Sequence, residues 1–90
     1  MIETKIDVVN KLGLHARASS KLAQLAGRFA CDIRLGKEGE NLVDAKSIMG
    51  LMLLAAGIGS SLILRVEGKD EEDAVAAITK LFADKFDEGE

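Results

Sequence analysis

The stretch NKLGLHARASSKL, residues 10–22, holds the chain's single histidine, His15, with Arg17 two positions later. A neutral imidazole offers a nitrogen lone pair, so a histidine open to its surroundings is a nucleophile. An apolar helical period begins at Ala18, which puts His15 at or beside the N-cap of a helix. The first N–H groups of that helix, from Ala16, Arg17 and Ala18, have no intrahelical partners and bind anions, aided by the helix dipole. Arg17 adds a guanidinium suited to phosphate oxygens. Ala16 and Ala18 are small and leave the imidazole approachable. The positive field favours the neutral ring. Together these residues support an imidazole that takes up and holds an anionic group.

Other uses of these residues fit less well. A lone histidine near a helix start is most often a solvated surface group, but as a cap it is inferior to Ser, Thr, Asn or Asp. One histidine and one cysteine do not supply a metal site that needs three or four ligands. Ser19 or Ser20 could be written into a Ser-His-Asp triad, yet nothing provides an oxyanion hole. GIGSS lacks the GK[ST] of a phosphate loop and leads into a strand rather than a helix. Cys31 has no CxxC partner and reads as a small buried hydrophobe.

The elements that must position His15 follow from periodicity. Ile2, Ile6 and Val8 alternate with Glu3, Lys5 and Asp7, a half-buried strand. Ala18, Leu22, Leu25, Ala26 and Phe29 mark an amphipathic helix ending near Gly27. Cys31, Ile33 and Leu35 form a second strand, GKEGEN a hairpin turn and LVDA a short third strand. Ser47 is a fit N-cap for a short apolar helix containing Ile48, Met49, Leu51 and Met52, with Gly57 as its stop. SSLILRVEG is a fourth strand. Asp70 is placed as N-cap of the last helix, whose buried stripe is Ala74, Val75, Ile78, Leu81 and Phe82. The order is βαββαβα, an α+β chain with one antiparallel sheet covered on one face. A ferredoxin-like split βαβ uses the same first six elements, so order alone leaves the topology open.

Length and composition bound the rest. Ninety residues make one domain, 1–90, with a tail at 87–90 expected to fray. A net charge of −3 argues against a nucleic-acid partner, and no strand carries base-stacking aromatics. No apolar run is long enough to span a bilayer. MIETKIDVV lacks the layout of a secretory signal, and a single cysteine agrees with a reducing compartment, so a cytoplasmic location is expected.

GLHAR, followed later by DAKSIMGLM, resembles the HPr family, the histidine phosphocarriers of the bacterial phosphotransferase system. The similarity runs over nearly the whole chain, through the closing EGKDEEDAVAAITKLF. It implies an HPr-like open-faced β-sandwich, a four-stranded antiparallel sheet ordered 1-4-2-3 with three helices on one face. It also implies that enzyme I, charged by phosphoenolpyruvate, phosphorylates His15 at Nδ1, and that the group passes on to IIA proteins for sugar uptake or its regulation. The chain would then be a stoichiometric carrier without turnover, a monomer, with no cofactor and no metal. Arg17 matches the arginine that steadies the phosphoryl group. Ser47 matches the serine modified in many relatives by HPr kinase/phosphorylase. Ile48, Met49, Leu51 and Met52 match the apolar patch on which enzyme I and IIA proteins dock. Two departures stand out: Ala18 replaces the family's usual proline, and the GKEGEN turn is one residue longer than in many relatives. Alanine is a good helix former, and the insertion falls in a turn. A non-carrier regulatory module acting through Ser47 is the rival reading, and an intact His15 and Arg17 count against it.

Overall fold

Ile6 and Val8 are buried while Glu3, Lys5 and Asp7 are exposed, and this alternation sets the first strand against a core. The computed structural model describes residues 1–88. In chain order these form β1 (Ile2–Asp7), α1 (Ala16–Ala26), β2 (Asp32–Lys37), β3 (Val43–Asp44), α2 (Ile48–Leu53), β4 (Ser61–Glu67) and α3 (Glu71–Ala83), then a tight turn at Lys85–Asp87. The βαββαβα order is the one the patterning predicts.

The four strands make an antiparallel sheet ordered β1-β4-β2-β3, with β4 and β2 central. In register, Ile6 lies opposite Leu62, Leu35 opposite Leu64 and Ile33 opposite Val66. These six side chains are buried, while Glu3, Arg34, Arg65 and Glu67 on the other face are exposed. One face is therefore apolar and carries all three helices; the other meets solvent. Leu22 of α1, Leu51 of α2 and Ile78 of α3 join the strands in a common core cluster.

Two boundaries and one cap differ from expectation. The apolar segment after Ser47 stops being helical at Leu53, well before Gly57. Ala55 turns the chain instead, with a left-handed backbone at φ 51°. The turn brings the Ala56 carbonyl within 2.9 Å of the Leu14 N–H, which a longer helix would forbid. Asp70 stands at the N-cap position of α3, but its side chain caps nothing there. Its carboxylate accepts instead from the N–H groups of Ala30 and Cys31, at 2.9 and 3.0 Å, and ties the start of β2 to α3.

The third difference is the tail. Lys85, Phe86 and Asp87 all have left-handed backbones, at φ 56°, 54° and 62°. This turn drives Phe86 into the core, edge-on to Phe82 with ring centroids 4.8 Å apart. Asp87 and Glu88, expected to fray, are thereby folded back toward α1, because burying an aromatic ring offsets the local backbone strain. The remainder of the expected frayed segment, 89–90, lies outside the described residues.

Candidate functional site

The loop between β1 and α1 is fixed at both ends before it delivers a histidine. Val8 donates to Ser60 O at 2.9 Å, and Gly59 donates back to Val8 O at 2.8 Å. Asn10 is fully buried, and its amide donates to Gly13 O at 2.8 Å. Gly13 needs its left-handed φ of 63°, since a Cβ there would lie 2.7 Å from the Gly57 Cα. Leu14 is buried, its N–H bound to Ala56 O and its carbonyl accepting from Ser19 Oγ at 3.1 Å. His15 follows as the N-cap of α1, with extended backbone and its carbonyl accepting from Ser19 N–H at 2.9 Å.

The His15 side chain does not cap the helix, so its ring is left free for other contacts. It is about a quarter exposed, at 28%. Ala16 and Arg17 are exposed beside it, in the same shallow depression as Lys11, Lys21 and Glu88. None of the ion pairs among the described residues engages Arg17. The geometry therefore gathers the imidazole, the guanidinium and the first turn of α1 in one place. Ala18 opens the buried stripe of α1, as its place in the apolar period predicts, so only its backbone belongs to the helix start and its side chain has no part in keeping the imidazole approachable. A wider depression on the open sheet face, lined by Glu3, Arg34, Lys37 and Arg65, contains no histidine, serine, threonine or cysteine.

Glu88 was not legible as a site residue. Its Oε2 meets His15 Nε2, and its Oε1 accepts from Asn10 Nδ2 at 2.9 Å. Burial pushes its carboxyl up, but the hydrogen bonds from Asn10 and His15, with the charges of His15 and Lys21, outweigh this and hold it below its ordinary value. An acidic residue in a short polar tail gives no periodic signal. Only the burial of Phe86 and the Lys21 ammonium, which donates to Phe86 O at 2.7 Å, bring Glu88 here.

On α2, Ser47 is the N-cap, its Oγ accepting from Gly50 N–H at 3.1 Å. Ile48, Met49 and Met52 are exposed, Met49 at 74%. Leu51 belongs to the core and cannot join a docking patch; one side of so short a helix must face the sheet. Leu53, at 79%, extends the exposed set and was missed because the expected patch stopped at Met52. The loop after α2 bonds directly to Leu14, which brings this apolar face next to the His15 loop.

Cys31 is buried between β2 and α3. Burial pushes its thiol up to about 11, with the hydrogen bond and charge of Asp70 adding to the effect. At neutral pH it is a packed hydrophobe, because the thiolate is the reactive form.

Residues 2–84 match the family described as the PTS HPr component phosphorylation site. The chain is 52% identical over 90 residues to the phosphocarrier protein HPr of Cupriavidus necator, covering the whole of both chains. It is 50% identical over 86 residues to the phosphocarrier protein HPr of Pseudomonas aeruginosa, covering 96% of each. A crystal structure of HPr-C-His from Thermoanaerobacter tengcongensis superposes with a TM-score of 0.92 at 42% identity, covering 98% of each chain.

Proposed function

The chain belongs to the HPr family of phosphotransferase-system phosphocarriers, and we propose that His15 is the residue it loads. The observation that carries this reading is the partly exposed imidazole at the α1 N-cap, not used for capping, with Arg17 exposed beside it. Enzyme I, charged from phosphoenolpyruvate, transfers its phosphoryl group to Nδ1 of His15, and a IIA protein then takes it. The chain supplies position and charge: a fixed imidazole, the N–H groups of Ala16, Arg17 and Ala18, and the Arg17 guanidinium. It is a stoichiometric carrier acting as a monomer in the cytoplasm, and turnover belongs to its partners.

Ile48, Met49 and Met52 form the docking face, where methionine suits a surface that must accept more than one partner. Ser47 is the regulatory position. Phosphorylation there by a kinase of the HPr kinase/phosphorylase type would add about two negative charges to the oxygen that now caps α2, beside that face.

The test is incubation with enzyme I and labelled phosphoenolpyruvate. Label should appear as an acid-labile, alkali-stable adduct, absent from His15→Ala, with the far-UV spectrum of the variant unchanged. Normal labelling of His15→Ala would end the carrier reading.

A further inference from the structure

We propose that Glu88 is a positioning residue for phosphoryl transfer: its carboxylate keeps the His15 ring proton on Nε2 and so leaves Nδ1 as the nucleophile. The inference rests on the reading of His15 as the phosphoryl acceptor. It follows from where the hydrogens must be. Asn10 is fully buried, and its Nδ2 donates to both Gly13 O and Glu88 Oε1, at 2.8 and 2.9 Å. Turning the amide over would set its oxygen against the Gly13 carbonyl, so its orientation is pinned. Glu88 Oε1 therefore always faces a donor, and Oε2 is left for the ring.

A neutral imidazole carries one N–H, and its partners decide which nitrogen holds it. An ionised carboxylate only accepts. Hydrogen bonds from Asn10 and His15 keep Glu88 in that form. The proton thus belongs on Nε2, and the lone pair on Nδ1. Glu88 is held for this task from behind: Phe86 is locked in the core, and Lys21 grips the Phe86 carbonyl.

During transfer the Nδ1 lone pair forms the new N–P bond. The P–N bond of the donor phosphohistidine breaks, and its electron pair returns to the donor ring. The Nε2 proton stays on His15, whose ring becomes positive as the bond forms. Glu88 faces that charge from the nitrogen remote from the phosphoryl oxygens, so its hydrogen bond strengthens as the reaction proceeds.

The decisive comparison is Glu88→Gln against Glu88→Ala. A glutamine must turn its oxygen toward the pinned Asn10 amide and its NH2 toward Nε2. That makes the ring an acceptor at Nε2 and moves its proton to Nδ1, where the nucleophile is lost. Glu88→Ala leaves the tautomer free. We expect Glu88→Gln to slow labelling of His15 by about tenfold or more, with Glu88→Ala falling between it and the parent. Nitrogen-15 shifts of the unphosphorylated imidazole should give the Nε2–H tautomer in the parent and move toward Nδ1–H in Glu88→Gln. A glutamine variant labelled as fast as the alanine variant, or with an unmoved tautomer, overturns the role of Glu88. So does an alanine variant faster than the parent, which would make the carboxylate an obstruction. In those cases His15 is still labelled and the carrier reading stands. Label on another residue of the parent chain would defeat both.

Discussion

Arg17 and Lys21 are four residues apart on α1, where side chains are neighbours, yet they are engaged differently. Lys21 holds the tail through the Phe86 carbonyl, whereas Arg17 is exposed and forms none of the ion pairs among the described residues. A guanidinium that stands outside the ion pairs of the described residues is available to an incoming phosphoryl group. Arg17→Ala should slow phosphoryl transfer from enzyme I by at least about tenfold. Stability should stay within about 0.5 kcal/mol, as for other exposed substitutions. Rapid-quench transfer and urea unfolding measure the two effects. A loss of stability with an undiminished rate would make Arg17 structural. Both His15 and Arg17 could be found from the sequence, because a histidine before an apolar helical period is a local pattern. Asn10 and Glu88 could not be found. Their role depends on a contact between positions at opposite ends of the chain, created by packing.

For the helices and strands, period and punctuation located most ends, and α2 marks where local reading stops working. Gly57 was the obvious terminator, since glycine adopts the left-handed backbone without strain. The chain instead uses Ala55, exposed and at φ 51°, because the Ala56 carbonyl is needed by Leu14, directly after the close approach of Gly13 to Gly57. Neither alanine advertises that requirement. A left-handed alanine costs about 1–2 kcal/mol, part of which glycine would return through its freer unfolded chain. Ala55→Gly should therefore stabilise the protein by about 0.5–1 kcal/mol, seen as a higher urea midpoint at unchanged slope. A lower midpoint would mean that the methyl group packs more usefully than its exposure suggests. The mislocated end of α2 also explains the Leu51 error, since the face that a short helix buries is set by where it must stop.

Across the whole molecule, two carboxylates join segments far apart in sequence. Asp70 bonds the Ala30 and Cys31 N–H groups at the entry to β2, and Glu88 closes the tail on the β1–α1 loop. The Ala30 hydrogen bond chiefly lowers the Asp70 carboxyl, with those of Cys31 adding to it. Glu88 is lowered by hydrogen bonds that overcome its burial. Both values are depressed in the folded state, so below the ordinary carboxylate range the unfolded chain binds more protons and stability falls with pH. Their contribution is complete above the unfolded values of 3.8 and 4.5 and is lost as pH drops through the lower folded ones. One shared core leads us to expect a single cooperative transition. Between pH 5 and 3, about the range where carboxylates titrate, the thermal midpoint of the parent should fall steeply. In Asp70→Asn it should begin lower and fall less, because that variant has no proton to gain at the β2–α3 junction. Scanning calorimetry at a series of pH values separates the two behaviours. An Asp70→Asn curve parallel to the parent's would mean that the junction is held by packing around Cys31, with the carboxylate a bystander.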